Sequence, residues 1–162
     1  MESTQNRTIR YLQDVHAAEK LTEDLLDKLA DDDEAVPEMR SIAGEAATAC
    51  VKRRETVSAR LLVLGSQPSG MKDWTNSVMG VASDIANAGH DRADKITMDA
   101  IKSHAALHML HASYAALGSF AKLVNDAETQ EIAGKHSHEA MLSADTLIPA
   151  IEASARSVLA LA

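Results

Sequence analysis

The sequence predicts an all-α protein, folded as a single antiparallel four-helix bundle that spans residues 1–162. Hydrophobic residues make up 46% of the chain but aromatic residues only 2%, so the core must consist of Leu, Ile, Val, Met and Ala, which suit closely packed helices. The alternation of β-branched or aromatic residues with polar ones that is typical of strands is missing. A chain of 162 residues is enough for one compact domain and too short for two ordinary ones.

Apolar residues at helical spacing predict two helices in the first half of the chain. The first runs from about residue 4 to residue 30 and the second from about residue 37 to residue 64. Pro37 suits the first turn of a helix, and the segment Gly65–Gly70 ends the second one. The residues predicted to face the core are Ile9, Leu12, Val15, Glu19, Leu26, Leu29, Met39, Ala46, Cys50, Arg53, Val57, Leu61 and Leu64.

Two further helices are predicted in the second half, over residues 92–124 and 126–148, with Asp126 as the N-cap of the last one. The long crossover before them is predicted to contain a short helix that ends near Gly89. Pro149 is predicted to kink or end the fourth helix, so that a short C-terminal helix follows. Two helices, a long connection and two more helices form the layout of ferritin-like bundles. The apolar stripe of the third helix is Leu107, Leu110, Tyr114, Leu117, Ala121 and Val124.

Net charge and cysteine content indicate which classes of partner and which cellular compartment to expect. A net charge of -8 argues against nucleic acid and anionic membranes as constitutive partners. No apolar run approaches the ~20 residues of a membrane span. The polar segment Met1–Arg7 has no signal-peptide core, and the single Cys50 allows no disulfide framework. We therefore expect a cytoplasmic protein without membrane or nucleic-acid partners.

Three stretches of the chain carry motifs that recur together in one bacterial family. Tyr11–Lys20 reads YLQDVHAAEK, and Leu107–Tyr114 reads LHMLHASY and is followed by DAET at Asp126–Thr129 and by His138-Glu139. The third and weaker stretch is Arg60–Gly65, with Pro-Ser and Lys-Asp pairs after it. These motifs resemble the YciE/YciF-type ferritin-like family. The resemblance implies a dimeric bundle with a carboxylate-bridged di-metal centre and a link with stress responses.

The resemblance also implies metal ligands, most of which are altered in this chain. Glu19 and Glu139 match ligand positions on the first and fourth helices, and His108 matches the histidine of the family. The two glutamates of the third helix are replaced by Leu107 and Leu110, and residues 46–54 lack the family's Glu-x-x-His motif. A di-metal centre needs about six inward carboxylate and imidazole ligands. No cofactor is therefore favoured.

Glu19 and Arg53 lie in the middle of the inward stripes of the first and second helices. An unpaired carboxylate there would be costly, whereas a planar guanidinium can donate to two carboxylates at once. We therefore expect a core salt bridge of Glu19, Arg53 and Glu139, in which Arg53 contacts Glu19, Glu139 or both in place of a metal ion.

Histidines provide the evidence for the alternative. His104, His108 and His111 follow one another at i, i+4 and i+7 and so share one face of the third helix, while His16 lies one turn before Glu19. Imidazole is a ligand for zinc, copper, nickel and iron. The other interpretation is a row of half-exposed histidines without a metal role.

Two functions follow. The leading hypothesis is a non-enzymatic, ferritin-like structural or stress-associated protein that forms a homodimer and holds no metal, its dimerisation resting on the resemblance alone. The alternative is a di-metal or mononuclear protein that binds iron, manganese or zinc for iron or peroxide chemistry. The sequence identifies no substrate and no protein partner. The residues of this alternative site are Glu19, Glu139, His16, His104, His108 and His111.

Overall fold

The structure, a computed structural model, describes residues 4–68 and 92–160. Four helices account for almost all of these residues. They are α1 (Thr4–Ala30), α2 (Pro37–Val63), α3 (Arg92–Leu123) and α4 (Ala127–Ala160). No strand occurs within these two ranges. The four predicted helices are thus confirmed. The predicted short helix of the crossover lies outside the described residues.

Helices α2 and α3 end in the same way, with one residue in the left-handed region. Gly65 has φ 72° and Asn125 has φ 58°. In each case the next amide bonds back to the carbonyl five positions earlier, as Ser66 does to Leu61 at 2.9 Å. Gly and Asn are the residues that tolerate this backbone conformation best, which explains why the two helices stop here.

Helix α4 begins at a side-chain cap. The Asp126 carboxylate accepts a hydrogen bond from the amide of Thr129 at 3.0 Å and another from its hydroxyl at 2.6 Å. These bonds satisfy a donor that the first turn of a helix leaves free. Asp126 is therefore the N-cap, as predicted.

The fourth helix continues through Pro149 to Ala160, so the prediction of a separate C-terminal helix was wrong. Proline lacks the amide that would bond to the preceding turn, which weakens a helix locally. Tertiary packing offsets this loss, because Ala150 is fully buried and Ser154 is only 4% exposed. The Ser154 hydroxyl also lies 2.9 Å from that of Thr97 on α3. The extra turns cover the beginning of α3.

The directions of the helices follow from contacts at their ends. Lys28, near the end of α1, pairs with Asp99, near the start of α3, at 2.7 Å. Arg60, near the end of α2, bonds to Thr129 in the first turn of α4 at 2.9 Å. Each of these pairs is therefore antiparallel, as are the hairpins α1–α2 and α3–α4. Helices α2 and α3 consequently run parallel, and residues 63 and 92 lie at opposite ends of the bundle, as in the ferritin-like fold.

The core runs along the axis of the bundle and is largely aliphatic. The charged side chains buried most deeply in it, among the described residues, are Glu19, which is 0% exposed, and Arg53, which is 1% exposed. No helix of the described ranges is long and apolar enough to cross a membrane. The largest fully buried apolar side chains are Tyr114, Leu12, Leu26, Met39, Leu61, Leu107, Leu110, Leu117, Leu147 and Val15.

Candidate functional site

Glu19 of α1 and Arg53 of α2 form a two-pronged ion pair in the middle of the core. The Nε of Arg53 donates to Oε1 of Glu19 at 2.6 Å, and Nη2 donates to Oε2 at 3.1 Å. Parallel N–H···O bonds of this kind are stronger and more directional than a single contact. The structure thus brings together two residues of the predicted core salt bridge.

Tyr114 connects the ion pair to α3. Its hydroxyl donates to Oε1 of Glu19 at 2.8 Å, and Nη2 of Arg53 also lies 3.2 Å from Sγ of Cys50. Sequence reasoning placed Tyr114 on the apolar stripe and missed its hydroxyl. The available signal was that a buried tyrosine needs a hydrogen-bond partner, and Glu19 was the carboxylate on the facing stripe.

Burial and mutual contact set the protonation of this cluster. Burial raises the pKa of Glu19, while hydrogen bonds from Arg53 and Tyr114 act in the opposite direction. Burial alone would lower the pKa of Arg53, but the Glu19 carboxylate outweighs it and the pKa is raised. Burial, followed by Glu19, raises the pKa of Tyr114 well above its usual value. Arg53 therefore remains a cation and Tyr114 remains a donor.

Cys50 is chemically quiet in this setting. Burial raises the pKa of its thiol far above the usual value, and the charge of Glu19 adds to the effect. A thiol that stays protonated is a poor nucleophile and a poor metal ligand. Cys50 therefore fits the role of a small buried side chain.

Glu139 does not join the ion pair: of the two carboxylates predicted as partners of Arg53, Glu19 contacts it and Glu139 does not, which corrects the three-membered core salt bridge. The Glu139 side chain is 39% exposed and its ionic partner is Lys135 on the same helix, at 3.9 Å. The physical reason is the orientation of α4 about its own axis. His136, one turn earlier, takes the inward position, and Glu139 lies about 60° further round the helix.

His136 is a buried residue that the sequence analysis did not single out. It is 3% exposed, and its ring packs edge-on against Tyr114 with 5.3 Å between the ring centroids. Burial, followed by the charges of Arg53 and Lys135, lowers its pKa to about 4, so the ring is neutral at pH 7. The signal in the sequence was helical spacing, since His136 lies between Ala133 and Ala140 on one apolar stripe of α4. The fully buried residues of this stripe are Ala133, Ala140, Ala144 and Leu147.

The structure divides the histidines proposed for the alternative site. His104 and His108 have ring centroids 4.5 Å apart, and His108 is exposed. His111 turns to α4, where its Nδ1 lies 3.0 Å from the backbone oxygen of Ser137. His16 is partly buried on α1, and burial, followed by Arg54, lowers its pKa.

The residues of the described ranges do not fit a di-metal centre. The described ranges contain no group of three or more His, Cys, Asp or Glu side chains that could hold a metal ion. The guanidinium of Arg53 covers the carboxylate of Glu19, so a dication there would meet a positive charge. Leu107 and Leu110 are fully buried and offer no ligand. No step of chemistry at this site can be assigned to bound iron or manganese.

Arg60 forms a second polar cluster, at the end of the bundle. It donates to the Thr129 hydroxyl at 2.9 Å, to Asp126 at 2.7 Å and to Glu128. Sequence reasoning found the N-cap role of Asp126 but missed Arg60 as its partner. Through this cluster Arg60 connects the last turns of α2 to the first turn of α4.

A cleft of about 380 Å³ lies between α2 and α4, beside the ion pair. Arg53 forms part of its wall from α2, and His136 and Glu139 form part of it from α4. The remaining lining residues are Ala49, Lys52, Thr56, Lys135, Leu142 and Ser143.

Comparison with known proteins identifies the family. The model of a family described as "Domain of unknown function (DUF892)" matches residues 4–160. The chain belongs to this family. No curated protein sequence matches it significantly.

Two solved structures resemble the bundle of this DUF892 member. One is a protein from Xanthomonas campestris pv. campestris, with 24% identity, a TM-score of 0.80 and 97% of each chain covered. The other is the Escherichia coli stress protein YciF, with 16% identity, a TM-score of 0.70, and 96% of this chain and 99% of YciF covered. At these identities the likeness shows the fold. It agrees with the resemblance to the YciE/YciF-type family.

Proposed function

We propose that this protein is a ferritin-like structural protein of the stress response, in which an ion pair stands where related bundles hold metal. The observation that carries the proposal is the two-pronged contact of Arg53 with Glu19, at 2.6 and 3.1 Å. The guanidinium neutralises the carboxylate, a task that a dication performs in a di-metal bundle. Together with Tyr114 it also links α1, α2 and α3.

The state of the core groups supports a structural role. Glu19 is fully buried and receives hydrogen bonds from two other side chains, so it is a poor base for an external substrate. The thiol of Cys50 stays protonated, and His136 is neutral at pH 7. In these states Glu19, Cys50 and His136 are poorly suited to nucleophilic or acid–base chemistry on an external substrate.

Likeness to the stress protein YciF supports the association with stress. Homodimer formation and a cytoplasmic location are further parts of the proposal. They rest on the family resemblance and on the composition of the chain. Protein abundance after osmotic, heat and peroxide stress, together with survival of a deletion strain, tests the association. Analytical ultracentrifugation tests the dimer, since a monomer across the accessible concentrations would contradict it.

Metal analysis tests the central claim. The protein should be purified without an affinity tag, incubated with iron(II), manganese or zinc, desalted and analysed by mass spectrometry. We expect substoichiometric metal and no change in thermal stability with any of the three ions. Stoichiometric metal that raises Tm in the original chain but not in Glu19→Gln would overturn the proposal. It would favour the alternative, a metalloprotein that uses Glu19, Glu139 and histidines.

A further inference from the structure

We propose that the cleft between α2 and α4 is a binding site for a small oxyanion, a carboxylate or a phosphate, held by the outer edge of the Arg53 guanidinium. This goes beyond the structural role proposed above. The anion site rests on the proposed function in one respect, because Arg53 must be charged and must have no metal ion beside it.

The first observation is a buried donor. Arg53 is 1% exposed, and its Nη1 has no hydrogen-bond partner among the described residues. Glu19 takes up Nε and Nη2, and Nη2 also lies 3.2 Å from Sγ of Cys50, which leaves Nη1. A guanidinium carries five N–H donors in a planar fork, so the edge that includes Nη1 can bind a second acceptor. A buried donor without an acceptor is costly, which makes an oxygen ligand favourable at this edge.

The second observation lies on the facing wall. His136 is 3% exposed, and its Nδ1 likewise has no hydrogen-bond partner within the described ranges. Arg53 and His136 both line the cleft, one from α2 and the other from α4. Two residues that each carry a buried nitrogen without a partner among the described residues thus line one space of about 380 Å³, which is large enough for phosphate or a small carboxylate.

The charges around the cleft favour an anion. Its lining contains the cations Lys52, Arg53 and Lys135 and one carboxylate, Glu139. Glu19 balances the charge of Arg53, and Glu139 lies 3.9 Å from Lys135. Lys52 then leaves one positive charge in excess, which suits a singly charged oxyanion and disfavours a metal cation. The hydroxyls of Thr56 and Ser143 add uncharged hydrogen-bonding groups to the wall.

Titration with defined anions, followed by NMR, tests this assignment. The intact chain, in a zwitterionic buffer, is titrated separately with inorganic phosphate, acetate and chloride at matched ionic strength. We expect saturable shifts of the His136 ring and the Arg53 Nε–H resonances with phosphate, acetate or both, and none with chloride. Saturation by phosphate alone assigns phosphate-type ligands, and saturation by acetate alone assigns carboxylates.

Charge variants separate a built site from general attraction. Lys52→Gln should weaken anion binding about tenfold, as expected for the loss of one charged contact. Lys122→Gln is the matched control, because Lys122 is exposed at the end of α3 and lies outside the cleft. The affinity of this variant for the anion should equal that of the original chain. Equal weakening by both variants would overturn the proposal, since only net charge would then matter.

Two other results would also overturn it. Linear shifts that are the same with chloride would mean screening without a site. Binding that appears only in Glu139→Gln would mean that the Glu139 side chain itself occupies the outer edge of Arg53 in solution. Either result leaves the metal analysis unaffected, so failure of this inference can be distinguished from failure of the proposed function.

Discussion

Arg53 and Arg60 lie seven residues apart on nearly the same face of α2, yet they join it to different helices. Arg53 points into the core, is 1% exposed and pairs with Glu19 of α1. Arg60 lies at the end of the bundle, is 8% exposed and bonds to three residues around the start of α4. One sequence pattern, an arginine on an inward stripe, therefore produces two different kinds of ion pair.

The difference shows how position decides what an ion pair contributes. Near the surface, water can take over the hydrogen bonds of a charged group that loses its partner, so the energetic cost of breaking the pair is modest. In the core, removal of one partner leaves a charge that water reaches poorly and that no remaining partner neutralises. Arg53 should therefore be far less replaceable than Arg60, although it has fewer partners.

The largest expected effect is that of Arg53→Ala. This change should lower the free energy of unfolding by about 3–5 kcal/mol, because it leaves the Glu19 charge buried without a counter-ion and opens a cavity. Urea denaturation monitored by circular dichroism measures it. Arg54→Ala is the matched control. Arg54 is the adjacent arginine, pairs with Glu23 at 2.7 Å and is 26% exposed, so its loss should cost about 1 kcal/mol or less.

Arg53→Met sharpens the same test by separating charge from volume. The methionine side chain fills much of the space but cannot neutralise Glu19, so we expect a loss between those of Arg53→Ala and Arg54→Ala. If Arg53→Ala cost no more than Arg54→Ala, the core ion pair would contribute little, and the contrast with the surface would disappear.

The pH dependence of stability should reveal His136. Its pKa in the folded protein is about 4, below the value of 6.5 expected in the unfolded chain. Between these values the unfolded state binds more protons, so stability is lost as the pH falls from about 6.5 towards 4. The raised pKa of Glu19 works in the opposite direction, since its contribution falls as the pH rises above 4.5.

His136→Phe isolates this contribution while keeping a ring against Tyr114. We expect the original chain to lose about 2 kcal/mol more stability than the variant on going from pH 7 to pH 5. Urea denaturation at both pH values gives the difference. Parallel pH profiles would show that His136 can take up a proton in the folded protein, which would contradict a closed core at this position.

Arg60→Ala should have a smaller effect, about 1–2 kcal/mol, because its partners Asp126 and Glu128 reach solvent once the guanidinium is removed. The residual loss reflects the Thr129 contact and the connection of α2 to α4. Added salt should reduce part of the difference from the original chain, since the Glu128 side chain is 63% exposed and its charge is screened. A loss as large as that of Arg53→Ala, insensitive to salt, would mean that the end of the bundle is as closed as its middle.

Helical periodicity was sufficient to predict the four helices, because each long helix buries one stripe and ends at a recognisable break. It failed at Pro149, where the local weakness of proline is outweighed by packing of Ala150 and Ser154 against α3. That compensation depends on which helix lies alongside. A single stretch of sequence does not contain this information.

Within the candidate site, the pairing of Glu19 with Arg53 could be anticipated because both are charged residues in the middle of apolar stripes. Tyr114 and His136 could not be placed in the same way. Periodicity tells which face of a helix is buried, but not the depth at which a hydroxyl or an imidazole meets its neighbour. On α4 a rotation of about 60° decides whether His136 or Glu139 faces inward, and that angle is within the uncertainty of a stripe read from sequence.

The smallest expected effect is that of Glu139→Gln. It tests the comparison between buried and exposed ion pairs with the glutamates instead of the arginines. The family resemblance assigns both Glu19 and Glu139 to ligand positions, but only Glu19 is enclosed. Glu139 is 39% exposed and its 3.9 Å contact with Lys135 is weak, so Glu139→Gln should change the free energy of unfolding by less than about 0.5 kcal/mol. Glu19→Gln makes the same chemical change in the core and should cost about 3 kcal/mol, since it leaves Arg53 buried without its counter-ion. Equal losses in the two variants would mean that Glu139 shares the charge of Arg53 after all.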